Sequence, residues 1–414
     1  MSEDVLITNI GELITLEPLA KEKRFIDIKE KDLGRLKNAW LYIEKGKVKD
    51  FGQGEVAKAY LNQNPKRIDA ASGLVMPGLV DCHTHPVYGG NRAQEFARRL
   101  AGATYKEIAA EGGGIAYTVA QTRDSDDSQL LEKCLSSLKS FLKHGVTTVE
   151  VKSGYGLTVK DELRLLRVLK EAQNHTPQTL STTLLALHAI PKEAPSKQAF
   201  IKDMTENLLP IVAREKLADW VDAFIEEGYF SREDALEHLK AAKKLGLSVR
   251  LHADEFTNQK GGVYAASLGA ASADHLEYTD EESIAAMAKA SVVAVLLPGT
   301  SLYTKIPYTK AAPFLQGGCP IALATDYNPG SCQVKNLAFT ATIGALHCGL
   351  DLPHAVAAVT YVAARALRLE NKKGALAPSF DGDVLIYKLS SIEEWLSGLG
   401  QKDPHTILIN GQPS

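Results

Sequence analysis

Short apolar runs alternate with amphipathic segments of helical length from about residue 76 onward. The eight apolar runs are GLVDCHTH (78–85), GVTTVEVKSG (145–154), STTLLALHA (181–189), WVDAFIEE (220–227), LSVRLHADE (247–255), SADHLEY (272–278), VVAVLLPG (292–299) and PIALATDYNPG (320–330). Parallel strands that are buried on both faces have this near-continuous apolar pattern. Segments of helical character separate these runs and follow the last one. This alternation predicts an α/β fold, a (β/α)8 TIM-like barrel.

The two ends of the chain have a different pattern. Before residue 75, short runs such as VLITNI and AWLYIEKGKV are broken by Gly and Asp, with little helical periodicity until GEVAKAYLNQN. From about residue 374 the sequence returns to strand-like runs, DVLIYKL and HTILINGQ. We therefore expect a small composite β-sandwich domain from residues 1–75 plus 370–414, beside a barrel of residues 76–369.

Composition and charge exclude several classes of protein. Hydrophobic residues make up 45% of the chain and charged residues 23%, as in ordinary globular proteins. The formal charge of −3 provides no strong field for nucleic acid or an anionic membrane. No long uninterrupted apolar run predicts a membrane span, the N-terminus lacks the pattern of a signal peptide, and the five cysteines form no CxxC pair. We expect a cytoplasmic protein whose partner is a small molecule.

Polar residues with catalytic potential collect where the predicted strands end. In barrels of this kind the catalytic groups lie at the carboxyl ends of the strands. Five of the eleven histidines occupy such positions. The residues at strand ends are His83, His85, His188, His252, Glu255, His275 and Asp326. Their concentration there predicts a site at this end of the barrel.

His83 and His85 are two positions apart, so on an extended strand both imidazoles lie on the same face and can share a metal ion. An isolated HxH tripeptide could equally have a structural role. Here a third imidazole, His252, and the carboxylate of Asp326 end other strands. Three imidazoles and one carboxylate suit zinc or iron, with one position left for water, and Asp326 could also accept that water's proton.

These motifs resemble the amidohydrolase superfamily: HxH after the first strand, His on the fifth and sixth, and Asp on the eighth. MPGLVDCHTHPVYGGNRAQEF, EGGGIAYTV, VKSGYGL, LHADEF, ADHLEYT and ATDYNPGS together resemble the imidazolonepropionase family within it, over residues 70 to 335. The resemblance implies a metal-dependent hydrolase that opens the ring of 4-imidazolone-5-propanoate and gives N-formimidoyl-L-glutamate, in histidine degradation. It also implies a homodimer.

One metal ion is expected rather than two. Binuclear members of the superfamily usually place a modified lysine at the end of the fourth strand, but the fourth run reads WVDAFIEEG. Lys152 lies at the end of the second run instead. We therefore expect a single zinc or iron ion, held by His83, His85, His252 and Asp326.

Three residues are candidates for proton transfer and charge stabilisation. Glu255 follows His252 by three positions and could move a proton or bond the ring nitrogen of the substrate; alternatively it caps the loop. His275 could polarise the carbonyl under attack, or be a core histidine satisfied by a carboxylate. Asp326 would accept the proton of the water.

Arg92 suits the carboxylate tail of the substrate because a guanidinium binds a carboxylate bidentately. Tyr155 could stack on a planar ring or donate its hydroxyl, and Tyr105 is a weaker candidate of the same kind. A lone tyrosine can also be a half-buried loop anchor. Arg98 and Arg99 in QEFARRL are expected to be solvated helix charges.

The resemblance places further substrate contacts in two other loops. His188 would contact the substrate, although a buried, backbone-bonded histidine is the alternative. Asn328, Gly330 and Ser331 would hold substrate or product, with the Pro-Gly turn aiming backbone N–H groups at the site. The Gly112–Gly114 run is expected to be a mobile lid or hinge.

Two other functions stay open. A deaminase of a cyclic base would share the barrel and the HxxE after the fifth strand, and it would release ammonia. Arg92 and DYNPGS argue against it because nucleobases lack a carboxylate tail. A barrel without catalysis, serving as a scaffold, is the second alternative, but such relatives usually lose metal ligands and all four are present here.

Overall fold

A computed structural model describes residues 3–103, 107–108 and 111–414. The strands are β1 (Val5–Ile14), β2 (Arg35–Glu44), β3 (Lys47–Gln53), β4 (Lys66–Asp69), β5 (Leu74–Pro77), β6 (Leu79–Asp81), β7 (Val146–Lys152), β8 (Thr179–Leu187), β9 (Trp220–Ile225), β10 (Ser248–Val249), β11 (Leu251–Ala253), β12 (Ser272–His275), β13 (Val293–Leu296), β14 (Ile321–Leu323), β15 (Val384–Tyr387), β16 (Thr406–Ile409) and β17 (Gln412–Pro413). They form two sheets.

The first sheet combines both ends of the chain, as predicted. Its order is β17-β16-β15-β5-β1-β2-β3, with β4 also paired to β1. Strand β15 runs antiparallel to β5, with Val384 opposite Pro77 and Tyr387 opposite Leu74. A separate apolar core of this sheet includes Val5, Ile43 and Val384. The composite β-domain is therefore confirmed, while its boundaries at residues 75 and 370 stay a prediction.

The second sheet is the barrel. Its parallel strands follow the order β14-β13-β12-β11-β9-β8-β7-β6, and β10 pairs with β9. Each of the eight predicted runs coincides with a strand of this sheet, although β8 begins two residues before its run and the fifth run is divided into β10 and β11 at Arg250. The strand residues are buried throughout most of the sheet, which explains their continuous apolar pattern.

The first and last strands meet through the residues that follow them. Asp326 N donates a hydrogen bond to His83 O at 3.0 Å, and His85 N donates to Tyr327 O at 2.8 Å. A parallel bridge joins Thr84 to Tyr327. This contact closes the barrel and places the HxH segment directly beside Asp326.

Helices cover the outside of the barrel, and several of them begin at a residue whose side chain caps the helix, for example where the Thr158 hydroxyl accepts a hydrogen bond from Asp161 N. Around the barrel they are Ala93–Leu100, Ile115–Asp124, Asp127–Lys143, Val159–Gln173, Lys197–Asp203, Leu209–Glu215, Arg232–Lys244, Gly261–Leu268, Glu281–Ala290, Pro298–Thr304, Ala311–Gln316, Leu337–Ile343, Leu352–Ala358 and Tyr361–Ala366. The chain ends add Glu17–Glu22, Lys58–Leu61 and Ile392–Ser397. Within the described ranges, no helix has the length and apolar character needed to cross a membrane.

One local expectation differs from the structure, and the mobile lid or hinge expected at Gly112–Gly114 stays a prediction. The helical segment predicted in GEVAKAYLNQN is limited to Lys58–Leu61. In the glycine run expected to act as a lid, Gly112 and Gly114 have φ angles of 87° and 70°. Gly114 immediately precedes the helix Ile115–Asp124, and its N–H donates to Glu95 Oε1 at 2.9 Å. Glycine is required there because few other residues adopt such angles.

Candidate metal centre and active site

Four side chains predicted as metal ligands converge at the carboxyl end of the barrel. His83 Nε2 lies 3.3 Å from His85 Nε2 and 3.5 Å from Asp326 Oδ1. His85 Nε2 in turn lies 3.4 Å from His252 Nε2 and 3.6 Å from Asp326 Oδ1. Ligands about 2.1 Å from a tetrahedral zinc ion are separated by roughly 3.4 Å. The spacing of these donor atoms therefore fits a single metal ion.

His275 lies beside this cluster. One of its ring nitrogens is within 4.8 Å of donor atoms of His83 and His252. Its Nε2 is 3.7 Å from Glu255 Oε2, and its Nδ1 is 3.8 Å from Glu277 Oε2. Both distances exceed that of a hydrogen bond. Neither carboxylate therefore satisfies His275 in the way that the core-histidine alternative requires.

Two buried carboxylates contact imidazoles that we predicted as metal ligands. Asp274 Oδ2 lies 2.6 Å from His83 Nδ1, and Asp222 Oδ2 lies 2.9 Å from His252 Nδ1. When Nδ1 carries the proton and donates it to a carboxylate, the lone pair of Nε2 is free to bind a metal. Sequence analysis missed both aspartates, which lie inside apolar runs.

Buried cations hold these two aspartates in place. Lys152 Nζ lies 3.1 Å from Asp222 Oδ2 and 2.7 Å from Glu150 Oε1. Arg250 Nη2 lies 2.8 Å from Asp274 Oδ2. Both cations are fully buried, where an unpaired charge would be costly. The ammonium group of Lys152 is thus engaged in ion pairs beneath the cluster.

Burial sets the protonation of the site. It lowers the pKa of His83 and of His85 well below the usual value, so both imidazoles are neutral near pH 7. Burial raises the pKa of Asp326 to about 6, although a hydrogen bond from the Thr300 hydroxyl opposes this. It also raises the pKa of Glu255 well above the usual value, with further contributions from nearby carboxylates. The surroundings of Glu255 therefore favour its protonated form.

A cavity of about 1000 Å³ opens over the cluster. The residues predicted for the site that line it are His85, Arg92, Tyr155, His188, His252, Glu255, His275, Asp326, Asn328 and Ser331. His83 and Gly330 are not among the residues that line it. The structure thus brings the predicted metal-binding, catalytic and substrate-binding residues together around one cavity.

Arg92 lies in the cavity wall and is only 7% exposed. Its Nε donates to Glu95 Oε2 at 2.8 Å. Its guanidinium packs against Gly330 so closely that a Cβ on that glycine would come 1.8 Å from Arg92 Nη1. Gly330 therefore acts by leaving room for the guanidinium.

Arg99 is not a solvated helix charge, as its sequence position suggested, but a residue of the cavity lining. Its Nη2 donates to Gly330 O at 3.0 Å, and its guanidinium lies 5.0 Å from the centre of the Tyr303 ring. Arg98 matches the prediction: it is largely exposed and pairs with Glu111 at 2.6 Å. The helix directs one of two adjacent arginines inward, which the local sequence does not reveal.

His188 lines the cavity and is also bonded to the backbone. Its Nδ1 lies 2.9 Å from Gly154 O. Burial lowers its pKa to about 3, so the ring is neutral and Nε2 can accept a hydrogen bond. The Tyr155 ring centre lies 5.2 Å from that of His188. Tyr105 lies outside the described residues.

The loop after the eighth strand is organised by Asn328. Its Oδ1 accepts hydrogen bonds from Gly330 N at 2.8 Å and Ser331 N at 2.7 Å. Its Nδ2 donates to Asp326 O at 2.8 Å and to Ser331 Oγ at 2.7 Å. The backbone donors that we expected to point at the site are therefore engaged inside the loop.

Comparisons with known proteins agree with this architecture. Residues 74–413 match the model of the amidohydrolase family. A protein named imidazolonepropionase from Fusobacterium nucleatum is 39% identical over 100% of this chain and 99% of its own length. A protein of the same name from Mesorhizobium japonicum is 45% identical over 83% of this chain and 85% of its own.

Among solved structures, 5-methylcytosine deaminase from Klebsiella pneumoniae has the same fold, with a TM-score of 0.75 at 18% identity over 99% of this chain and 96% of its own. At this low sequence identity, the comparison shows a shared fold and nothing about function. The identities above 30% over most of the chain establish more than the fold. The chain belongs to the amidohydrolase family and, within it, to the imidazolonepropionases.

Proposed function

We propose that this chain catalyses the hydrolytic ring opening of 4-imidazolone-5-propanoate to N-formimidoyl-L-glutamate, a step of histidine degradation. The observation that carries the proposal is the group of His83, His85 and Asp326, with His252 Nε2 beside that of His85, at the cavity that also contains the buried Arg92. A metal-activated water and a cation for the carboxylate tail are the two requirements of this reaction. The relatives named imidazolonepropionase support the same activity.

A single zinc or iron ion would be held by His83, His85, His252 and Asp326. The neutral imidazoles of His83 and His85, and the 3.3–3.6 Å distances that join neighbouring donor atoms of the four residues, support this ligand set. When bound, the ion lowers the pKa of a coordinated water and so supplies a nucleophile at neutral pH. Asp274 and Asp222 keep the ligating nitrogens aimed at the cluster.

Three residues would move protons and stabilise charge. Asp326, whose pKa is close to neutrality, accepts the proton of the attacking water. His275 is neutral because burial lowers its pKa well below the usual value. Its ring N–H donates a hydrogen bond to the carbonyl oxygen under attack. Glu255, whose pKa burial raises well above its usual value, donates a proton to the ring nitrogen when the C–N bond breaks.

The propionate tail and the ring would be bound by residues of the cavity wall. The guanidinium of Arg92 binds the carboxylate, held at the correct angle by Glu95. His188 accepts a hydrogen bond from the ring through Nε2, and Tyr155 packs beside it. Asn328, Gly330 and Ser331 shape the loop that borders the tail.

The test compares substrate consumption in the metal-loaded protein and two histidine variants. His252→Ala should lose both bound metal and turnover, because it removes one of the ligating imidazoles. His175→Ala changes an exposed histidine that pairs with Glu171 outside the cavity, and it should keep both. Full activity of His252→Ala would contradict the proposal. The homodimer stays a prediction, which light scattering of the purified protein tests.

A further inference from the structure

Glu226 lies just after strand β9, and its carboxylate contacts the loop that carries Glu255. Its Oε2 accepts hydrogen bonds from Phe256 N at 2.9 Å and Thr257 N at 3.3 Å. Its Oε1 accepts from the Thr257 hydroxyl and from Glu227 N. One carboxylate thus joins the end of the fourth barrel strand to the loop that leaves the fifth.

We propose that Glu226 is a positioning residue for the reaction proposed above, on which this inference rests. A bond to Phe256 N fixes the peptide plane between Glu255 and Phe256. The carboxyl of Glu255 lies 3.7 Å from His275 Nε2, too far for a hydrogen bond to hold it. The backbone of Glu255 therefore determines where its carboxyl lies, and Glu226 determines that backbone.

Glu226 is itself held in the turn that directly follows β9. It is 3% exposed. Its N–H donates to Phe230 O at 3.2 Å, and its carbonyl accepts from Tyr229 N at 3.1 Å. Loops are ordinarily the mobile part of a barrel, whereas catalytic groups must be held to within about 0.5 Å. The hydrogen bonds from Phe256 N and Thr257 N to Glu226 therefore restrict the motion of the loop that carries Glu255.

A second buried carboxylate provides a matched comparison. Glu162 accepts hydrogen bonds from Gly154 N at 3.0 Å and from Gly156 N and Leu157 N at 2.8 Å. The loop that it holds carries Tyr155, a residue of substrate binding rather than of proton transfer. The two carboxylates are alike in burial and in their bonds to the backbone, but they serve different loops.

The experiment measures kcat and KM for 4-imidazolone-5-propanoate, with bound metal and Tm, in a set of variants. Glu226→Gln should lower kcat about 10- to 100-fold with KM within about threefold, since a misplacement near 1 Å costs that much. Glu162→Gln should instead change chiefly KM. Thr257→Val, which loses only the hydroxyl, should lower kcat, and Thr257→Ser, which keeps the hydroxyl, should restore it.

Amide hydrogen exchange gives a readout that does not depend on turnover. Exchange at Phe256 and Thr257 should become faster in Glu226→Gln and stay unchanged in Glu162→Gln. The inference is overturned if Glu226→Gln keeps kcat within twofold of the wild-type value. It is also overturned if the variant loses bound metal and has a lower Tm, because general destabilisation would then explain the loss of kcat. If the wild-type protein fails to convert the substrate, the proposed function fails; unchanged exchange at Phe256 and Thr257 would separately overturn the positioning role.

Discussion

Replacing Asp222 by Asn should weaken metal binding without removing a ligand. Asp222 lies 2.9 Å from His252 Nδ1, and its other oxygen accepts from His252 N at 3.0 Å. Burial alone would raise its pKa, but His252, Lys152 and Arg250 hold the pKa well below the usual range, so the carboxylate is ionised. It therefore favours the tautomer with the proton on Nδ1 and the lone pair on Nε2.

The side-chain amide of Asn has only one oxygen. It therefore cannot accept hydrogen bonds from both His252 N and His252 Nδ1 on separate oxygens, as the carboxylate of Asp222 does. If its NH₂ group faces Nδ1, the ring proton moves to Nε2 and occupies the position that the metal needs. Loss of such an orienting carboxylate typically weakens metal affinity 10- to 100-fold, or about 1.4–2.7 kcal/mol. We expect this loss for Asp222→Asn, measured by zinc competition with a chromophoric chelator.

Asp219→Asn is the matched control because Asp219 is an exposed residue before the same strand, where its carboxylate accepts from Thr182 N. It should bind zinc with unchanged affinity. An affinity of Asp222→Asn within twofold of the wild-type value would refute the reasoning, since the orienting contact would then contribute nothing.

Three further predictions follow from the site. Zinc affinity should weaken as the pH falls through about 6, because Asp326 must be ionised to ligate and becomes protonated there; a pH-independent dissociation constant between pH 5 and 7 would contradict this. Arg92→Lys should raise KM about 10-fold or more with kcat little changed, while Arg98→Lys, in the helix that directly follows Arg92, should leave KM unchanged. Arg250→Met should lower the free energy of unfolding by about 3–5 kcal/mol in chemical denaturation, because Asp274 loses its buried cation; a loss below about 1 kcal/mol would oppose that view.

Strand periodicity and strand-end chemistry were sufficient to predict the barrel and the convergence of its histidines. His83 and His252 end apolar runs, and the barrel topology brings those ends together. The buried charged residues of the strands, which lie beneath these histidines, were harder to predict. Because both faces of a parallel strand are buried, alternation does not distinguish an inward charge such as Arg250 from its apolar neighbours.

A charged residue inside a buried run still carried a signal that could have been used. Asp222 in WVDAFIEE and Asp274 in SADHLEY interrupt apolar strands, and a buried charge needs a partner. The orientation of Arg99 had no such signal, since it depends on how its helix packs over the loop of Gly330.

Product analysis tests the central claim most directly. Purified, metal-loaded protein is incubated with 4-imidazolone-5-propanoate, and formiminoglutamate and ammonia are measured together against a control without enzyme. We predict formiminoglutamate in equal amount to the substrate consumed, with no ammonia. Release of ammonia, or no conversion by protein that has its metal bound, would contradict ring opening as the function of this site.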